Sequence, residues 1–438
     1  MTLSVTGTDV VCLGESMVTF LPSRPGRLAD VPSFTRAIGG AESNVACALA
    51  AAGHRVRWVS RVGADGFGDH LVAAIAAYGV DTRAVRRDPH RPTGVYFRTA
   101  TDRAADAHEV VYYRAGSAAS AMSPDTVVYD DLHSTRVLHL SGITAALSAG
   151  CLALMRDLTR RRPGRPLLSF DVNHRPSLWR DAPADPAVLL DLARGADLVF
   201  VGEDEAEAAW GLRGAGAIRA ALPEPGVVVV KHGGRGATVY ARGAGAYPGA
   251  PPPDPRASTS PEDFVQGEPP GAEYAARPPH AARPACEDTA EGRAGSGAKP
   301  RFRAGAGWGE APRGGPVPAH HAPAPGPSPG GLGAEPRPGD TVTFVPAPRV
   351  DVVAPVGAGD AFAAGFLGAT LRGLDPRQRL RHGHLMAASA LTVPGDLGTP
   401  PAAPHADRLA GLDDDAWGRL HLGPGWTRTG EDQEVRTP

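Results

Sequence analysis

The chain has 438 residues, 42% hydrophobic and 21% charged, with a formal net charge of −2. A large core can form, while no run approaches the roughly 18 apolar residues of a membrane span and no broad basic footprint marks a nucleic-acid binder. Cys12, Cys47, Cys151 and Cys286 lack a CxxC pair and MTLSVTGTDV lacks a basic-then-apolar leader, so neither disulfides nor a zinc site is expected, and a cytoplasmic location is.

In chain order, apolar runs suited to strands occur at 10–14, 56–62, 137–141, 167–172, 198–201 and 227–231, with helical patterns at 42–52, 68–78 and 150–161 between them. Such alternation implies an α/β fold: a doubly wound, largely parallel sheet with helices on both faces, and ligands at the carboxyl ends of the strands. Arg156, Arg160, Arg161, Arg162 and Arg165 read as the solvated end of a helix. Two stretches, about 17–36 and 94–115, break the alternation. They suit a small antiparallel sheet, either a lid over a site or an ordinary edge hairpin. Its exposed edge is where copies of the chain could pair.

Composition changes at 248–338, which holds 21 of the 44 prolines and a single leucine, Leu332. A disordered insertion is expected there, set between two neighbouring strands of one domain spanning 1–404, with a tail at 405–438. Only Lys231 and Lys299 are lysines, and only Asn44 and Asn173 are asparagines.

Four motifs could carry chemistry. PVGAGDAFAAGFLG at 355–368 runs from a strand expected at 350–353 through a glycine turn into a helix. Its backbone N–H groups would form an anion hole, and Asp360 beside them is placed to take a proton from a hydroxyl; as a lone motif, Asp360 reads at least as well as a helix N-cap. IGGAESNVACALAAAG at 38–53 brings two glycines and Asn44 into a helix start. SFDVNHRPSLW sets Asp171, Asn173 and Arg175 just past a buried strand, and KHGGRGA at 231–237 is a glycine turn at another strand end.

Together these motifs resemble the PfkB, or ribokinase-like, family of carbohydrate kinases, over roughly 9–247 and 340–402. GGAESNVA, YYRAGSAAS, LSGIT, DVNHRPSLW and PGD are similar to its 2-keto-3-deoxygluconate kinase subgroup. The resemblance implies Asp360 as catalytic base and an anion hole on Gly357, Ala358 and Gly359. It implies sugar contacts at Gly40, Asn44, Tyr112, Arg114 and Asp396, although Tyr112 also suits lid core and Asp396 a turn. ATP would meet Asn173, Arg175, Lys231, Gly233, Gly234, Gly236 and His384, and Glu205 would organise Mg2+ through water. The implied reaction is ATP-dependent phosphorylation of 2-keto-3-deoxy-D-gluconate on its terminal hydroxyl. A fructokinase, a ribokinase, a 2-keto-3-deoxygalactonate kinase and a non-catalytic sugar-acid sensor stay open as alternatives. The pattern departs from the family at Ala354, where an acidic residue often serves a monovalent-cation loop, at Gly202, where an asparagine is missing, and at His384.

Overall fold

Eight strands form the central sheet of the computed structural model, which describes residues 7–24, 26–99, 109–180, 182, 184–242 and 339–428. The order across it is Asp340–Val345, Ala237–Arg242, Val227–Lys231, Leu198–Gly202, Leu167–Asp171, Thr135–Ser141, Thr8–Leu13 and Val56–Val59. Strands from Val227–Lys231 to Val56–Val59 pair in parallel; the two preceding them in that order are antiparallel. The parallel strands read as unbroken apolar runs because both faces are covered. Val10, Cys12, Phe200 and Val229 face one core cluster, while Val11, Leu13, Val199 and Val228 face the other.

The chain leaves Thr8–Leu13 to one side, adding Val56–Val59, and later returns to the other side with Thr135–Ser141. This reversal opens a crevice at the strand ends. Two small-residue helices, Ala41–Ala51 and Ala358–Leu371, pack together above it. Ala363, Ala364, Ala46 and Val45 are buried between them, and side chains this short allow a close approach.

A second sheet has the order Phe34–Gly39, Met17–Pro22, Val95–Arg98, Val110–Tyr113: two antiparallel hairpins joined by one parallel pair. It occupies the two stretches that broke the alternation. The turn expected within 100–108 and the proline-rich 248–338 lie outside the described residues. The strands flanking the latter, Ala237–Arg242 and Asp340–Val345, are paired neighbours.

Two boundaries differ from the sequence reading. Of the expected strand at 350–353 only the Arg349–Val350 pair forms, against His421–Leu422, and beyond it the Val353 N–H donates to the Leu391 carbonyl at 2.7 Å instead of to a strand. Beyond residue 404, helices Ala403–Ala410 and Asp414–Arg419 pack into the core. Trp417 is buried there and donates from Nε1 to the Pro346 carbonyl at 2.9 Å. The segment set apart as a tail is therefore structural as far as 428. No described helix is long and apolar enough to cross a membrane.

Candidate active site

The GAGD turn places its acid inside a helix rather than at its cap. Gly357 is the N-cap, with φ 78°, a left-handed conformation that favours glycine, and a Cβ there would strike the Asp396 carbonyl. The helix starts at Ala358, so its first N–H groups have no intrahelical acceptor and Asp360 lies in the first turn. A capping role for Asp360 is excluded.

The Asp360 carboxylate is instead held from two other elements. Asn44 Nδ2, from the first turn of Ala41–Ala51, donates to Oδ2 at 2.9 Å. Asn173 Nδ2, just past strand Leu167–Asp171, donates to Oδ1 at 3.4 Å. The only two asparagines in the chain converge on one carboxylate. Asp360 keeps some surface open to the cleft, yet it lies deep among protein atoms. Burial pushes its pKa up to about 7, against the Asn44 hydrogen bond; the Asp171 charge pushes the same way as burial, and Arg175 and Lys231 pull down.

Lys231 ends strand Val227–Lys231 and points its Nζ at both Asp171 oxygens, at 3.2 and 3.0 Å. Burial disfavours the ammonium, but the Asp171 and Glu205 carboxylates outweigh it and hold its pKa above the ordinary value. A Cβ placed on Gly359 would stand 3.6 Å from that Nζ, so a cation flanks the helix N-terminus. Arg175 is exposed and donates to Glu205 Oε1 at 3.3 Å, while Glu205 Oε2 accepts from Gly202 N at 2.9 Å. Both Glu205 oxygens are thus engaged. No group of three or more potential metal-ligating His, Cys, Asp or Glu residues occurs among the described residues, so they do not build a metal cage of their own.

Beyond Lys231 the chain turns through Gly233–Arg235 into the antiparallel strand Ala237–Arg242, with Gly233 and Gly234 exposed and Gly236 buried. A cavity of about 490 Å³ lies here, lined in part by Glu203, Lys231, His232, Gly233 and Arg235. Glu203 is ion-paired to Arg235, and its Oε2 lies 3.0 Å from His232 Nδ1.

At the small-sheet end, Gly40 has no room for a side chain: a Cβ would stand 2.8 Å from Ser16 Cα. Arg114 is ion-paired to Glu15, whose other oxygen accepts from Ser117 Oγ at 2.6 Å. Arg114 Cζ lies 5.7 Å from the centroid of the exposed Tyr112 ring. Asp396 accepts from Arg98 Nη2 at 2.9 Å and from Tyr96 Oη at 3.2 Å, both on small-sheet strand Val95–Arg98. Burial holds the Asp396 pKa above the usual range, against Arg98 and Tyr96.

His384 meets the site only through its neighbours, the Val345 carbonyl, which packs against Gly236, and Phe362. It is buried in helix Pro376–Leu391, its Nε2 lies 3.2 Å from the Val345 carbonyl, and its ring packs edge-on to Phe362. Burial lowers its pKa to about 4. The sequence reading missed Glu15, Ser117, Arg98 and Tyr96. Each is joined to its partner across about a hundred residues or more, so no local pattern announces it.

The sequence pattern of the pfkB family of carbohydrate kinases matches residues 7–258 and 330–403. The chain belongs to that family. It is 38% identical over 206 residues to the 2-dehydro-3-deoxygluconokinase of Bacillus subtilis, covering 45% of this chain and 61% of that protein. To the Thermoproteus tenax enzyme of the same name it is 34% identical, covering 55% and 73%. It is also 30% identical to Probable fructokinase-4 of Arabidopsis thaliana, covering 45% and 60%. The chain therefore spans about three-fifths of two of these relatives. Among solved structures, the PfkB protein from Polaromonas sp. JS666 aligns with a TM-score of 0.60 and 26% identity, covering 92% of this chain and all of that one. A 2-dehydro-3-deoxygluconokinase from Thermotoga maritima aligns at 0.62 with 19% identity over 93% and 99%, which speaks for the fold.

Proposed function

We propose that this protein is an ATP-dependent kinase of a sugar acid, transferring the γ-phosphoryl group to the terminal hydroxyl of 2-keto-3-deoxy-D-gluconate. The observation that carries this reading is Asp360: a buried carboxylate in the first turn of a helix whose free N–H groups and neighbouring Lys231 suit an incoming phosphoryl group. Asp360 would accept the hydroxyl proton as that oxygen forms its bond to phosphorus and the bond from phosphorus to ADP breaks. A pKa pushed up to about 7 suits a base that works near neutrality.

The backbone of Gly357, Ala358 and Gly359, with Lys231, would hold the transferring group, and the cavity beside His232, Gly233 and Arg235 would take the rest of the nucleotide. A related solved structure, a putative ribokinase II from Escherichia coli, is described in complex with ATP and Mg2+. Mg2+ would here travel on the nucleotide phosphates and neutralise them, with Glu205 reaching it only through water. Asn44 and Gly40 lie where a sugar would lie, and Arg114 with Tyr112 would meet its acid group.

Substrate choice has one rival. Glu15 already neutralises Arg114, which favours a neutral sugar such as fructose, in keeping with the fructokinase relatives. ADP release measured on a panel of acid and neutral sugars, for the wild type and Asp360→Asn, decides. Turnover on the acid sugar that is lost in Asp360→Asn supports the proposal. Turnover confined to neutral sugars shifts it to the rival, and none on any sugar ends the kinase reading.

A further inference from the structure

We infer that Asn173, locked in a left-handed backbone beside the Asp171–Lys231 pair, is a positioning residue that fixes the Asp360 carboxylate and tunes its readiness to take a proton. The inference rests on the reading of Asp360 as the base.

Asn173 has φ 42°, and it is the one described non-glycine residue with positive φ. Asparagine tolerates this conformation better than most residues, but an outlier held at a site is still a constraint that its surroundings must impose. What imposes it is visible. Asn173 N donates to Asp171 Oδ1 at 3.3 Å, and the same carboxylate is clamped by Lys231, the one lysine among the described residues. Lys231 thus holds Asp171, Asp171 holds the Asn173 backbone, and the Asn173 amide reaches Asp360.

Both amides spend only their donor end. Asn44 Oδ1 and Asn173 Oδ1 are buried without a hydrogen-bond partner. The opposite amide orientation would set an oxygen against the carboxylate, so the donor assignment follows from charge. Two donors on opposite oxygens stop the carboxylate from rotating, because a turn would break at least one bond. The contacts are unequal, 2.9 Å on Oδ2 and 3.4 Å on Oδ1. Oδ1 is therefore the oxygen left to receive a proton.

The charged groups facing Asp360 are Asp171, which opposes its ionisation, and Arg175 and Lys231, which favour it; helix Ala41–Ala51 presents the neutral Asn44. An amide donor stabilises the ionised form, so removing one should raise the proton affinity of the base. The test compares Asn173→Ala with Asn173→Gly. Both lose the amide, but glycine accepts the left-handed backbone and alanine does not, so thermal stability should fall clearly in the alanine variant and little in the glycine one. If the amide acts on the base, both raise the acid limb of kcat/KM and the Asp360 titration by a similar amount, roughly 0.5 to 1 pH unit.

The titration is read by carboxyl carbon-13 NMR, with Asp360→Asn assigning the signal, so it needs no turnover. An unmoved titration in the well-folded glycine variant overturns the inference, even in an active kinase. A moved titration in a protein that phosphorylates no sugar leaves this inference standing and removes the kinase reading alone. A shift in the alanine variant only, following its loss of stability, also overturns it by assigning Asn173 a purely structural part.

Discussion

At the base end of the cleft, Asp360 has neutral amides as its hydrogen-bond partners, while the nearby cations are engaged elsewhere, Lys231 with Asp171 and Arg175 with Glu205. At the small-sheet end, the pairs Arg98–Asp396 and Arg114–Glu15 leave each arginine matched to its own carboxylate. Burial is heavy in both places. The difference lies in the partners: Asp396 and Glu15 each meet an arginine, so those pairs are costly to break, whereas Asp360 meets only amides; burial raises the pKa of Asp396 as well as that of Asp360, the latter to about 7.

The largest expected effect breaks the base end. Asp360→Asn should lower kcat by about 10³-fold or more while leaving the fold intact, as for loss of a positioned base. It should also stabilise the protein at high pH. The folded pKa of about 7 lies above the ordinary aspartate value of 3.8, so the contribution to stability is full below about pH 4 and is lost as pH rises through 7. The difference of about 3 units corresponds to roughly 4 kcal/mol, and about half of that is expected because the carboxylate is partly open to the cleft. Glu42, buried and likewise raised to about 7, titrates over the same range, so only the difference between wild type and variant isolates Asp360. Urea midpoints at pH 4 and pH 8 check this: a gain at both pH values, or at neither, contradicts the assigned proton affinity.

Next comes Lys231. Lys231→Met should cut kcat by about 10²-fold through loss of a cation beside the anion hole. It also strands Asp171, at a cost of about 3 kcal/mol in stability. Adding Asp171→Asn should restore most of the stability but not the turnover. Recovery of both together would mean that the lysine only balances charge.

The small-sheet end should respond in stability before it responds in rate. Asp396→Asn leaves Arg98 buried without its counter-charge and should cost about 3 kcal/mol by urea denaturation. For Arg114, Leu should raise KM for an acid sugar about 30-fold and for a neutral sugar far less, as for loss of a charge-assisted bond. Glu15→Gln should do the opposite, lowering KM for the acid sugar a few-fold by releasing the guanidinium. Equal changes for both sugars would remove Arg114 from substrate choice.

How much of this the sequence carried depends on the distance over which each feature is encoded. The sheet was legible because strands buried on both faces, such as VVVV at 227–230, stand out as unbroken apolar runs. GAGD was legible as a glycine turn leading into a small-residue helix, although the strand expected just before it stops at Val350 and the motif alone left Asp360 open to a capping role. The scarcity of asparagine pointed to positions 44 and 173, but their meeting on Asp360 was not readable: local sequence does not encode a bond between residues 316 or 187 positions apart. For the same reason Glu15 and Arg98 went unseen among many similar charged residues. The helix start at Ala358 depended on a left-handed Gly357, which packing against the Asp396 carbonyl dictates.

The smallest expected effect concerns His384, assigned by resemblance to the nucleotide yet buried between Phe362 and Trp417, with centroid distances of 5.2 and 6.5 Å. A residue that touched ATP would change KM for ATP severalfold when altered. A core residue would change stability instead, since its imidazole fills space and its Nε2 meets the Val345 carbonyl. His384→Asn shortens the side chain and forfeits ring contacts, so a loss of about 1 to 2 kcal/mol is expected, with KM for ATP changed less than about twofold. Because burial holds its pKa near 4, below the ordinary 6.5, the unfolded chain takes up a proton there before the folded one does, so wild-type stability falls as pH drops through 6.5 and the cost of His384→Asn should be smaller at pH 6 than at pH 8. A KM effect without a stability effect would carry His384 from the core back to the nucleotide, and would extend the reactive end of the cleft to the far side of helix Ala358–Leu371.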